Sequence, residues 1–149
     1  MDQLLDPAPA FVHTIDVRYG ECDQQAVVFN ANYLAYVDDA LDHWLREQFD
    51  DPGTHSWDLM VKTAQLVWHG SARWPDRLRI ACGVVRWGRT SLEVVYRMAV
   101  GDRVVADARL VYVSIDTSTQ RAVVLQPEVA AGFGDLVRVP DAAGEQLVD

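Results

Sequence analysis

Tyr33, Leu34, Val37, Leu41, Trp44 and Leu45 recur at the spacing of one face of an α-helix, the strongest periodic signal in the chain. A helix with one continuous apolar stripe must bury it against another element. The rest of the sequence says which. After residue 56 the chain is almost wholly strand-like, in four runs at 57–71, 78–87, 91–100 and 104–115, rich in Val, Leu and Ile. Turn formers separate the four runs: Pro75-Asp76, Gly88-Arg89 and Gly101-Asp102, the last reading as a tight hairpin. Another strand is expected at 11–19, where β-branched residues partly alternate with polar ones. The order strand, long helix, four antiparallel strands predicts an α+β chain in which a curved antiparallel sheet wraps one long central helix.

The helix has clear boundaries. Asn30 or Asn32 can cap its start, and Asp50-Asp51-Pro52-Gly53 stops it. A loop spans 20–29, and Gln126-Pro127-Glu128 suits the start of a short second helix. Residues 1–9 and 140–149 are expected to be flexible tails. The 149 residues suit a single domain over 1–149, and a half-hydrophobic composition supplies one core.

Charge and composition exclude several functions. A net charge of −9 argues against sequence-independent nucleic-acid binding and against docking on anionic lipid. No apolar run approaches the roughly 20 residues of a membrane span. Residues 1–10 lack the basic and apolar regions of a signal peptide, so a cytoplasmic location is expected. Cys22 and Cys82 are read as reduced. His13, His43, His55 and His69 form no HxH or HExxH pattern, so no metal is expected.

One segment carries more than periodicity. Tyr19-Gly20-Glu21-Cys22-Asp23-Gln24-Gln25-Ala26-Val27-Val28-Phe29-Asn30-Ala31-Asn32-Tyr33-Leu34 resembles the signature of the 4-hydroxybenzoyl-CoA thioesterase family of hotdog proteins, and within it the YbgC-like acyl-CoA thioesterases. The stretches His69-Gly70-Ser71-Ala72-Arg73-Trp74-Pro75-Asp76-Arg77-Leu78 and Arg86-Trp87-Gly88-Arg89-Thr90-Ser91-Leu92 resemble later parts of the same pattern, in the same order. Ala26 stands where the family usually has Gly; a left-handed backbone there would strain it and reshape the loop. Asn30 stands where YbgC-like members often have His, so no titrating acid–base group is inherited at that position.

The resemblance implies the hotdog fold and an acyl-CoA thioesterase. It gives Asp23 the role of nucleophile or of general base towards water. The backbone N–H near Asn30, at the positive end of the helix, becomes an oxyanion donor. Tyr19 and Asn30 would orient the reacting groups, and Asn32 and Tyr33 would contact substrate. Arg73 and Arg89, with Ser91, are the choices for holding the CoA phosphates, and Arg86 is a further one. No cofactor is implied, since coenzyme A is part of the substrate. A homodimer or homotetramer with active sites between protomers is expected, Trp57, Trp68, Trp74 and Trp87 being candidates for the seam. Each residue also has a plainer role: Asp23 as a turn former, the asparagines as caps, the arginines as solvated charges. A non-catalytic acyl-CoA or acyl-carrier-protein binder on the same fold is the alternative. A hotdog hydratase fits poorly, because position 28 is Val and the loop has no His. The acyl group is left open.

Overall fold

The computed structural model describes residues 3–142. Its elements are β1 (Phe11–Asp16), a 3-10 turn (Tyr19–Glu21), α1 (Asn32–Phe49), β2 (Trp57–Trp68), β3 (Arg77–Trp87), β4 (Ser91–Val100), β5 (Arg103–Asp116) and α2 (Pro127–Ala131). The strands form one antiparallel sheet in the order β1-β3-β4-β5-β2, with α1 packed across one face. This is the hotdog arrangement. Among the described residues no helix is long and apolar enough to cross a membrane.

The helix buries Tyr33, Tyr36, Val37, Ala40, Trp44 and Leu45. They meet one side of the strands: Leu78, Ile80, Cys82 and Val84 on β3, Leu92, Val94, Tyr96 and Met98 on β4, and Ala106, Ala108, Leu110 and Tyr112 on β5. Alternate residues share a face because strand side chains have a period of two. Each large apolar side chain withdrawn in this way stabilises the fold by about 1.5–3 kcal/mol. Tyr96 and Tyr112 bring hydroxyls into this interior and satisfy each other at 2.6 Å. At the Gly101-Asp102 hairpin, Gly101 takes φ +59°, a value that glycine adopts without steric cost.

The expectation of a flexible arm at residues 1–9 is corrected for residues 3–9; residues 1 and 2 lie outside the described residues. Leu4 and Leu5 are buried against Ala81, Val95, Ala99 and Val137 on the face of the sheet away from α1. Asp6 and Arg138 exchange backbone hydrogen bonds at 3.0 and 2.6 Å, tying the two ends of the chain together over that face. At the other end Arg97 donates to the Pro140 carbonyl at 2.6 Å, so residue 140 is anchored; 143–149 lie outside the described residues. The apolar residues on the second face of β3 and β4 are the physical reason. Left open, they would form an exposed patch.

The cap expectation is also corrected. Ala31, with helical backbone angles, precedes α1, and neither asparagine caps it through its side chain. The chain enters the helix from a turn, so the N–H groups of Asn32, Tyr33 and Leu34 already reach the carbonyls of Phe29, Asn30 and Ala31. Of the four tryptophans expected at a seam, only Trp74 is exposed; Trp57, Trp68 and Trp87 pack against the core. Cys22 and Cys82 are both free thiols.

Candidate active site

Three segments converge where β3 begins. Val17 N–H bonds the Asp76 carbonyl at 2.9 Å, and Val28 N–H bonds the Ala72 carbonyl at 2.9 Å. The Glu21 carbonyl accepts from Phe29 N–H at 3.0 Å and from Asn32 Nδ2 at 2.8 Å. The 3-10 turn, the loop after it, the 72–76 segment and the start of α1 are thereby fixed to one another.

Asp23 sits in a small hairpin that follows from its sequence. Cys22 and Val28 pair as an antiparallel bridge. Asp23 N–H bonds the Val27 carbonyl at 3.0 Å, and Ala26 N–H bonds the Asp23 carbonyl at 2.9 Å. These bonds close a three-residue loop whose last member is left-handed, a form normally completed by glycine. Here Ala26 takes it, at φ +61°. The glycine-to-alanine departure therefore leaves the left-handed turn in place and puts its strain on Ala26.

The Asp23 carboxylate has one hydrogen-bond partner among the described residues. Oδ1 accepts the Gln25 N–H at 2.8 Å, the turn-forming role expected of Asp. Oδ2 takes no hydrogen bond among the described residues. Asp23 lines a cleft of about 440 Å³ with Tyr19, Cys22, Gln24, Ala26 and Trp74. Tyr19 is 77% exposed and meets Trp74 edge-on, ring centroids 5.7 Å apart.

At the helix start, Asn30 and Ala31 are exposed, and their N–H groups find no acceptor among the described residues. Unpaired donors at the positive end of a helix are suited to a developing negative charge. Asn32 instead spends its amide on the Glu21 carbonyl. Tyr33 is buried, its hydroxyl accepting the Ala72 N–H at 3.2 Å while burial pushes its pKa up. Arg73 is exposed beside Trp74 and makes no ion pair among the described residues.

Arg89 and Ser91 lie elsewhere. They flank the β3–β4 hairpin and line a cleft of about 220 Å³ with Trp87, Ser114 and Leu125. The 11 residues of β3 separate the two ends of the sheet by about 33 Å. A single chain therefore gathers Tyr19, Asp23, Asn30 and Arg73 at one end and leaves Arg89, Arg86 and Ser91 at the other.

Two participants escaped the sequence reading. Trp74 joins Tyr19 in the wall between two clefts. Tyr36 donates its hydroxyl to Glu21 Oε1 at 3.0 Å, and Glu21 Oε1 also takes the Arg18 N–H at 2.8 Å. Burial and then the Glu21 hydrogen bond push the Tyr36 pKa well up, so it remains a protonated donor. Glu21 three residues after Arg18 is a turn signal in the sequence; Tyr36 lies outside the apolar stripe read there and carries no signal of its own.

Comparison with known proteins agrees with this architecture. YbaW, a probable thioesterase from Escherichia coli, superimposes with a TM-score of 0.72 at 26% identity, covering 81% of this chain and 94% of its own. Slr0204, a 1,4-dihydroxy-2-naphthoyl-CoA thioesterase from Synechocystis, gives 0.73 at 17% identity, covering 85% and 96%. The BH1999 gentisyl-coenzyme A thioesterase gives 0.73 at 19% identity, covering 84% and 100%. No curated protein sequence matches the chain. The model of the thioesterase-like superfamily matches residues 17–133, which take in the Asp23 hairpin, α1 and strands β2 to β5, and the chain therefore belongs to that superfamily of thioester hydrolases.

Proposed function

We propose that the protein hydrolyses an acyl-CoA thioester at the Asp23 cleft. The observation that carries this is the pairing of a carboxylate oxygen on an open cleft with a helix start whose Asn30 and Ala31 N–H groups, like that oxygen, have no partner among the described residues. In one route Asp23 attacks the thioester carbonyl carbon. The C–S bond breaks, CoA leaves as thiolate, and water then cleaves the mixed anhydride to free acid and Asp23 carboxylate. In the other, Asp23 takes a proton from water as it adds to the carbonyl, and the tetrahedral intermediate expels the thiolate. Either way the carbonyl oxygen gains negative charge, and each well-placed backbone donor is worth about 3 kcal/mol there. Asn30 contributes backbone N–H and an amide rather than a titrating group. Tyr19 and Trp74 form the exposed aromatic wall along which the acyl group or pantetheine would lie.

The partner we propose is a second copy of the chain. β2 is an open edge carrying exposed Met60, Val61 and Val67, the kind of edge that proteins usually pair or cover. Antiparallel pairing of two such edges swaps the ends of the sheets. The partner subunit's Arg89 and Ser91 then lie at the same end of the assembly as Asp23, which supports CoA binding across protomers. The other face of the sheet is already covered by residues 4–6 and 137–139, which favours a dimer over a back-to-back tetramer. A cytoplasmic location suits this substrate.

The test is thiol release across a panel of acyl-CoAs, led by hydroxy-aromatic ones because two of the related structures act on such substrates. Wild type should turn over at least one member, and Asp23→Asn should fall to background. Equal background release by both proteins would leave a binding protein, not an enzyme. Light scattering that finds only a 16.7 kDa species would remove the dimer.

A further inference from the structure

A second cleft, of about 730 Å³, lies on the other side of the Tyr19–Trp74 pair, between β1 and α1. Its wall brings together three side chains that are scattered in sequence. His13 projects from β1; Asp39 and His43 stand one helical turn apart on α1. His13 Nε2 lies 2.8 Å from Asp39 Oδ2, and His43 Nδ1 lies 3.5 Å from Asp39 Oδ1. The two imidazoles stack at 4.3 Å between centroids, and the ligand-capable atoms of the three residues all lie within 4.8 Å of one another.

We propose that His13, Asp39 and His43 bind a divalent transition-metal ion of the Zn²⁺ or Co²⁺ type. Two imidazole nitrogens and one carboxylate are the donor set such ions prefer, whereas Mg²⁺ and Ca²⁺ favour all-oxygen sites. The distances agree with this. Metal–ligand bonds of about 2.0–2.1 Å place neighbouring ligand atoms about 2.9 Å apart at right angles and about 3.3 Å apart in a tetrahedron. The two separations at Asp39, 2.8 Å from Oδ2 to His13 and 3.5 Å from Oδ1 to His43, bracket that range, one at each carboxylate oxygen. The carboxylate already lies between the two nitrogens. The remaining adjustment falls on His43, whose side chain is 51% exposed and whose Nδ1 now lies 2.8 Å from the Asp39 carbonyl oxygen. Turning that ring off the helix backbone gives up that hydrogen bond and shifts its stack on His13. His13 is the fixed member: its side chain is only 13% exposed and its ring stacks on Phe11 as well as on His43. Three protein ligands leave one tetrahedral position open towards the cleft, the pattern of a site that takes water or a small anion. No atom of Asp23 belongs to this site, so it stands or falls apart from the thioesterase reading.

The test uses the full chain, stripped of metal by chelator and free of any affinity tag. Zn²⁺ is titrated by calorimetry and Co²⁺ by its visible absorption. One ion should bind per chain at micromolar metal. Asp39→Ala and His43→Ala alter half-exposed side chains on the helix surface, leave the helical circular dichroism unchanged, and should each weaken binding at least about tenfold. Saturable binding that both variants leave intact would locate the ion elsewhere and overturn the proposal. So would the absence of saturable uptake by wild type at micromolar metal.

Discussion

Ala26→Gly should make the protein more stable. Ala26 is exposed and holds φ +61°, so the substitution removes no packing and relieves a left-handed backbone. A side chain in that region costs about 1–2 kcal/mol, because Cβ crowds the following carbonyl. Glycine returns about 0.4–1 kcal/mol of the gain by freeing the unfolded chain. The net expectation is a stabilisation of about 0.5–1 kcal/mol. Urea denaturation should show a higher midpoint at unchanged slope, and the melting temperature should rise by about 1–4 °C. Thiol release should persist, since the loop hydrogen bonds of Asp23 are made by backbone that glycine also supplies. A midpoint equal to or below that of wild type would refute the reasoning. It would mean that the hairpin relaxes φ at Ala26 at no cost, or that alanine restrains the unfolded loop by more than the strain it carries.

Other predictions concern the face of the sheet away from α1. Arg97 is 3% exposed and holds Asp107 through Nε and Nη2 at 2.8 and 2.9 Å; Arg97→Met leaves that carboxylate half-paired and should cost about 3 kcal/mol in urea unfolding, at the low end for a broken buried pair because His69 Nε2 stays 3.0 Å away. Burial pushes the Asp107 pKa up, but the Arg97 guanidinium and then His69 outweigh it and hold the pKa below the ordinary value. Its contribution to stability is thus complete above the unfolded carboxylate pKa of about 3.9 and lost as pH falls through the lower folded value, and Asp107→Asn should flatten that part of the acid limb. A Cβ on Gly83 would meet Val137 Cγ2 at 2.6 Å, so Gly83→Ala should cost about 1–3 kcal/mol, most of it restored by adding Val137→Ala.

The main elements were legible because their signals are local. The helix stripe marks α1, and β4 begins and ends where its turn residues place it. The docked N-terminal arm was not legible from its own residues. Leu4-Leu5 is too short for a period, and its Asp and Pro neighbours read as a loose tail. The signal lay in the strands the arm covers. The run Ile80–Val84 is buried at every position with no polar alternation, and the run Val94–Ala99 is buried throughout with Arg97 as its one charged residue. A strand apolar on both faces requires cover on both. The helix supplies one layer, and residues 4–6 with 137–139 are the only described segments left to supply the other. Such runs call for a second layer on the strength of the sequence alone.

The site divides along the same line. Asp23 could be found because its surroundings are contiguous in sequence: the hairpin, the turn before it and the helix start all lie within residues 19–34. The rest of the cleft it lines is not contiguous. Trp74 and Ala72 come from the far side of β2, and their meeting with Tyr19 and Val28 depends on the sheet closing around α1. His13 and Asp39 stand 26 residues apart, one on a strand and one on the polar side of a helix, so neither a ligand motif nor a hydrophobic period could join them. Both clefts share the Tyr19–Trp74 wall, yet only one contains Asp23, the residue to which the local pattern assigned the chemistry. Chemistry carried by one segment is readable in advance. Chemistry assembled by the pairing of distant segments becomes readable only once the register of β1 against β3, and of α1 across both, has been fixed.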